Sequence, residues 1–82
     1  MRTSHAILLR LRHDPHYDFG RASVEYVNRG APDDRSTVQG GQIQNLDQLG
    51  MEIESERGTT FIPYHRILRI SYDNETVWAR EK

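Results

Sequence analysis

The sequence contains no cysteine and a single lysine, Lys82, among its 82 residues. The lack of cysteine excludes a disulfide framework, a thiolate nucleophile and zinc sites with sulfur ligands. No apolar run reaches the roughly 18 residues of a spanning helix, and the apolar stretch near the N-terminus is too short for a signal peptide. These absences favour a cytoplasmic protein without a membrane partner.

The charges nearly cancel, with 11 basic and 12 acidic residues and a formal net charge of −1. This balance excludes the wide, non-specific coating of nucleic acid that a strongly basic protein shows. Ten of the 11 basic residues are arginine, which suits bidentate phosphate binding but also follows from genome composition alone. A chain this short supports one small domain, over residues 1–82.

The N-terminal segment has the pattern of a helix. Ile7, Leu8 and Leu11 lie on one stripe, and Thr3 or Ser4 is available as the N-cap. Asp14 and Pro15 are expected to end this helix, because the residue before a proline is biased away from helical backbone.

From Ser23 onward the period is typical of strands separated by Gly, Pro and Asp turns. Gly40-Gly41 interrupts a weak strand that opens at Val38, Arg57-Gly58 predicts a hairpin turn, and Pro63 is expected to break a strand and begin a short 3₁₀ turn. The predicted strands are Ser23–Arg29, the interrupted stretch from Val38 to Leu46, Met51–Ser55, Thr59–Ile62, Ile67–Tyr72 and Thr76–Arg80. We therefore predict an α+β fold, with one helix and about five short antiparallel strands in an SH3-like or Sm-like half-open barrel.

The segment R-G-A-P-D-D-R is the first candidate site. Its glycine permits close backbone approach, so exposed N–H groups flanked by two arginines form a candidate nest for an anion. The alternative is a plain proline turn in which Arg and Asp side chains pair on the surface. The candidate residues are Arg29, Gly30, Ala31 and Pro32. Asp34 is a possible acceptor of a hydrogen bond from a ribose hydroxyl, and Arg35 is the second arginine beside the candidate nest.

The segment I-P-Y-H-R-I at residues 62–67 is the second candidate, because a proline fixes the backbone ahead of three polar side chains. His65 can donate to a phosphate oxygen, Arg66 can bind two oxygens, and Tyr64 can stack on a base. The alternative is a buried histidine bonded to a loop carbonyl, with Arg66 in a structural ion pair.

Metal and enzyme motifs are weak. His13, Asp14, His16 and Asp18 lie within six residues, but Pro15 breaks the helix that would align the two imidazoles, so we predict a solvated turn and no metal. The chain has no H-x-[ST] pair, Walker-type loop, G-x-S-x-G elbow or RNP aromatic motif. No catalytic residue and no cofactor are predicted from these patterns.

Three segments together resemble an archaeal family of uncharacterised proteins, the RNA cyclic group end recognition domain. They are Y-V-N-R-G-A-P-D-D at 26–34, I-P-Y-H-R-I at 62–67 and V-W-A-R at 77–80. The resemblance implies recognition of RNA ends that carry a 2′,3′-cyclic phosphate, with Arg29, His65 and Arg66 facing the ligand. One departure is Asp33, which stands where the family usually has Gly.

Three functions stay open at this point. The first is a non-catalytic module that binds RNA ends, and the second is an enzyme that processes the cyclic phosphate with His65 as acid or base. The third is a small β-protein that binds a protein partner or weakly self-associates through an open edge near Gly40-Gly41.

Overall fold

The computed structural model describes residues 3–56 and 58–80, and within them the chain forms one α-helix and seven antiparallel strands. The elements are α1 (Ser4–His13), β1 (Ala22–Val27), β2 (Arg35–Gln39), β3 (Ile43–Leu46), β4 (Gly50–Ser55), β5 (Gly58–Pro63), β6 (Ile67–Tyr72) and β7 (Glu75–Ala79). Four 3₁₀ turns connect them, at Phe19–Arg21, Pro32–Asp34, Gly40–Gln42 and Tyr64–Arg66. No helix in this part of the chain is both long enough and apolar enough to cross a membrane.

Helix α1 forms as its sequence predicts. The Thr3 hydroxyl accepts a hydrogen bond from the Ala6 backbone N–H at 3.1 Å, which caps the first turn. Leu8 and Leu11 are buried, and Ile7 packs against the core from its edge. The helix ends at His13, directly before Asp14 and Pro15.

The strands make two sheets, ordered β2-β1-β6-β7 and β3-β4-β5. Alternate residues of β1 point inward, and in β4 Met51 and Ile53 are buried while Glu52 and Glu54 lie on the outer side, as the alternating pattern predicts. Side chains from both sheets and the helix share one core; its fully buried members include Leu8, Val24, Met51, Ile67 and Ile70. The predicted α+β class is thus confirmed.

The predicted number of about five strands is too low. Residues 35–39 form a complete edge strand, because β2 pairs in unbroken register with β1 from Val27↔Arg35 to Ser23↔Gln39. The described strands do not close into a barrel, and the half-open barrel stays a prediction.

Several predicted boundaries also move. Strand β1 ends at Val27, not Arg29, because Gly30 turns the chain with a φ of 93°. The predicted turn segment R-G-A-P-D-D-R ends one residue earlier, since Arg35 already belongs to β2. Arg57, half of the predicted hairpin turn, lies outside the described residues.

Two predictions about glycine and proline turns meet different outcomes. The 3₁₀ turn after Pro63 is present, although Pro63 itself is the last residue of β5 and pairs with Gly50. Gly40 lies in a 3₁₀ turn, and a Cβ there would stand 1.7 Å from the Phe19 carbonyl oxygen. The turn that connects β2 to β3 therefore packs closely against the backbone of Phe19. Binding of a protein partner through this edge stays a prediction.

Candidate nucleic-acid interface

The chain leaves β1 in a tight loop that is held by its own hydrogen bonds. The Asn28 N–H donates to the Asp34 carbonyl at 2.8 Å, and the Ala31 N–H donates to the Asn28 carbonyl at 3.1 Å. The Asp34 carboxylate accepts the Gly30 N–H at 3.2 Å. Two N–H groups of the predicted anion nest, those of Gly30 and Ala31, are therefore already bonded within the same loop.

Two successive aspartates of this loop adopt left-handed backbone. Asp33 has a φ of 57° and Asp34 a φ of 55°. Asp enters this region more readily than most residues, but glycine does so without steric cost. The resemblance implies Gly at position 33, and Asp33 holds the conformation that glycine favours.

The 3₁₀ turn at Tyr64–Arg66 faces this loop from the start of β6. Arg66 donates from Nε and Nη2 to the Val27 carbonyl oxygen, at 3.1 and 2.6 Å. This contact ties two segments that are 39 residues apart in sequence. Arg66 therefore uses two of its five N–H donors on the backbone, and it binds a carbonyl where the alternative interpretation expected a carboxylate.

The end of β1 and this turn enclose an open cleft of about 530 Å³, which we call the arginine cleft. Its lining residues are Val27, Asn28, Arg29, His65 and Arg66. The structure thus brings Arg29, His65 and Arg66 to one place, from two distant segments. His65 is exposed, so the expectation of a buried histidine is wrong.

Arg80 supports the turn from β7. Its guanidinium donates from Nη2 to the His65 carbonyl, and its backbone N–H donates to the Leu68 carbonyl at 2.9 Å. The His65 backbone is therefore held from one side by Arg80, while the neighbouring Arg66 is tied to β1 on the other.

Tyr64 is not among the residues that line the arginine cleft. Its ring stacks on His5 of α1, with centroids 4.5 Å apart, and its hydroxyl donates to the Asp47 carbonyl at 2.5 Å. Burial, and then the charge of Asp47, raise the pKa of the phenol to about 12. The structure therefore places Tyr64 as a packing residue behind the turn, and stacking on a base stays a prediction.

Of the remaining predicted residues, Pro32, Asp34 and Arg35 line a second hollow of about 730 Å³. Gly30 and Ala31 belong to the loop after β1 and are not among the residues that line either hollow. Arg35 pairs with Glu25 at 3.6 Å, and Arg69 reaches the same carboxylate at 3.9 Å. Arg35 therefore contributes to the outer face of the four-stranded sheet and is not among the residues lining the arginine cleft.

Asp14 and His16 form a local turn after α1, whereas His13 is the last residue of the helix. The Asp14 carboxylate accepts from the His16 N–H and contacts His16 Nδ1, both at 2.9 Å, and these hydrogen bonds lower the pKa of Asp14. No three His, Asp or Glu side chains within residues 3–56 and 58–80 are grouped to hold a metal ion.

Sequence reasoning did not single out Asn28 and Arg80. Both are inside the segments that carry the family resemblance, Y-V-N-R-G and V-W-A-R, and a polar residue at each position was the available signal. Neither residue type indicates a role without the contact that defines it.

Comparison with known proteins gives a consistent result. The family model of the MJ1316 RNA cyclic group end recognition domain matches residues 1–80. A UPF0248 protein of Archaeoglobus fulgidus is 32% identical over 71 residues, which cover 87% of this chain and 96% of the relative. No solved structure matches the chain significantly.

Proposed function

Because the chain belongs to the family of the MJ1316 RNA cyclic group end recognition domain, we propose that it is a non-catalytic module that binds RNA ends bearing a 2′,3′-cyclic phosphate. The observation that carries the proposal is the meeting of Arg29, His65 and Arg66 on one open cleft. An RNA end is the partner that this chemistry fits.

The donors of the cleft match the charge of the ligand. A cyclic phosphate has one negative charge and two non-bridging oxygens, which Arg29 and the free N–H groups of Arg66 can bind with charge-assisted hydrogen bonds. His65 adds a further donor from an exposed position. One phosphate needs no extended basic surface, so a net charge of −1 is compatible with this role.

A non-catalytic role is supported by what lines the cleft. Among its lining residues, His65 is the only imidazole, and none is a carboxylate. Opening a cyclic phosphate by acid–base catalysis normally uses a second proton-transfer group. We expect a cyclic-ended RNA to be recovered unchanged after incubation with the protein; release of a linear phosphate would favour the enzyme.

A cytoplasmic location stays a prediction from composition.

The test compares short RNAs of one sequence that end in 2′,3′-cyclic phosphate, 3′-phosphate or 3′-hydroxyl, by fluorescence anisotropy. We expect the cyclic end to bind at least about tenfold more tightly than the hydroxyl end, since charge-assisted hydrogen bonds contribute roughly 1.5–3 kcal/mol each. Equal affinities for all three ends would contradict the proposal.

The variants His65→Ala and Arg29→Ala are each expected to reduce this preference about tenfold. Arg69→Ala is the matched control, because it removes an exposed guanidinium that pairs with Glu25 outside the cleft lining. Arg66→Ala is less informative, because it also removes the bonds to the Val27 carbonyl.

A further inference from the structure

Asn28 is the one side-chain amide among the residues that line the arginine cleft, and its position is fixed. Its Nδ2 donates to the Ser36 hydroxyl at 2.8 Å. Its backbone N–H and carbonyl are bonded to Asp34 and Ala31. The Asn28 backbone is therefore held in the loop, and the Ser36 hydroxyl orients its side-chain amide.

The other end of this amide is open to solvent. Asn28 Oδ1 accepts no hydrogen bond from residues 3–56 or 58–80, and no fully buried side-chain nitrogen or oxygen in that part of the chain lacks a partner. Since Asn28 is only half-buried, its Oδ1 reaches water. The cleft thus contains an oriented acceptor that is free for a ligand.

This acceptor differs from the groups around it. Arg29 and Arg66 can only donate, the Val27 carbonyl is already bound by Arg66, and His65 accepts only through an unprotonated ring nitrogen. A phosphate satisfies donors but has no hydrogen to give to Asn28. An amide oxygen that gains no partner on binding loses its water, which is unfavourable.

We propose that Asn28 is a specificity-determining residue, whose Oδ1 accepts a hydrogen bond from an N–H or O–H group of the RNA beside the cyclic phosphate. The inference depends on the proposed function and adds a second feature of the RNA, besides the phosphate, that the protein recognises. In a 2′,3′-cyclic end both ribose hydroxyls are esterified, so the terminal ribose offers no such donor. The donor is therefore elsewhere in the RNA, and the nearest candidates are an N–H group of the terminal base and the 2′-hydroxyl of the preceding nucleotide.

The experiment uses three short RNAs that all end in a 2′,3′-cyclic phosphate. The reference has a terminal adenosine; one probe replaces adenine with purine, which lacks the amine, and the other lacks the 2′-hydroxyl of the preceding nucleotide. We expect the natural protein to lose about five- to tenfold in affinity for one of the two probes, the value of a single hydrogen bond. The affected probe identifies the donor.

Asn28→Ala is expected to bind the reference with the same reduced affinity and to show no further loss with the affected probe. Asn45→Ala is the matched control: it removes the exposed amide of Asn45 in β3, which donates to the Asp47 carboxylate, and it is expected to keep the full probe sensitivity. Ser36→Ala frees the Asn28 amide to rotate and is expected to weaken the sensitivity without abolishing it.

The outcomes separate this inference from the proposed function. If the natural protein prefers cyclic ends but binds all three cyclic RNAs equally, or if Asn28→Ala keeps the same probe sensitivity, the role of Asn28 is wrong and the proposed function stands. If cyclic and hydroxyl ends bind alike, the proposed function itself is wrong. Unfolding curves for each variant establish that the compared proteins are folded.

Discussion

Asp33 holds left-handed backbone at the tip of the loop that precedes β2, with a φ of 57°. Left-handed backbone destabilises an L-residue by roughly 1–2 kcal/mol, and aspartate by less. Glycine has no such steric penalty, but it loses more conformational entropy on folding. We expect Asp33→Gly to raise the free energy of unfolding by up to about 1 kcal/mol in urea titrations. Asp33→Ala is the comparison, and it should be less stable than the natural protein. A glycine variant less stable than the alanine variant would contradict the argument.

Tyr64 gives the protein an alkaline pH dependence. Its pKa is raised from 10.0 to about 12, so the folded state holds the phenol proton more tightly than the unfolded state. The resulting stability is fully present below pH 10 and is lost as the pH rises toward 12. We expect the free energy of unfolding to fall across this window, and to fall less in Tyr64→Phe. If the free energy of unfolding falls equally steeply with pH in both proteins, a group other than Tyr64 causes the alkaline loss of stability.

At neutral pH, Tyr64→Phe removes the hydrogen bond to the Asp47 carbonyl while keeping the ring that stacks on His5. We expect a loss of about 1 kcal/mol in thermal or urea unfolding. No change at neutral pH would mean that water replaces the hydroxyl without cost.

Single residues also show where prediction from sequence ends. The proline before Tyr64 predicted the 3₁₀ turn, since the ring fixes φ and removes a donor. The bonds from Arg66 to the Val27 carbonyl were not predictable, because nothing at position 66 identifies a partner 39 residues away. The residue types of the candidate site could be read from the sequence, but their contacts depend on how the strands align.

The elements of the fold were predicted unequally for a physical reason. Strand β4 was clear because its apolar and acidic residues alternate, whereas β2 has one buried residue, Val38, in a run of exposed polar side chains. An edge strand of this kind is defined by pairing to its neighbour, and pairing leaves no periodic signal. The same reasoning explains why Arg35, which the sequence pattern assigns to a turn segment, lies in a strand of the sheet.

The 3₁₀ turn between β2 and β3 allows a direct test of packing, because its two glycines have different surroundings. Gly40 lies against the Phe19 carbonyl, whereas a Cβ at Gly41 would have no neighbour within 4 Å. We expect Gly40→Ala to reduce stability by about 2–4 kcal/mol, as overpacking between two elements does, and Gly41→Ala to change it by less than about 1 kcal/mol. Urea unfolding of both variants measures this; equal effects would show that the 3₁₀ turn shifts without cost.

For the molecule as a whole, the balance of charge determines how salt affects binding. The net charge is −1, and the outer side of β4 is acidic at Glu52 and Glu54, so contacts with RNA should be confined to the cleft. With one or two phosphates bound, the plot of log affinity against log salt should have a slope of about −0.7 to −1.4. Titrations at several salt concentrations measure it. A slope several times steeper would reveal a longer RNA path across the surface.

The arginine cleft joins two segments that are 39 residues apart in the chain: Arg66 holds the end of β1, and Arg80 holds the turn that carries His65. During synthesis, the first wall of the cleft leaves the ribosome dozens of residues before the second wall and its support. The cleft is therefore among the last features to assemble, and incomplete chains lack it. Occupancy by a ligand consequently reports that the whole domain has folded, and a bound ligand protects all seven strands against unfolding together.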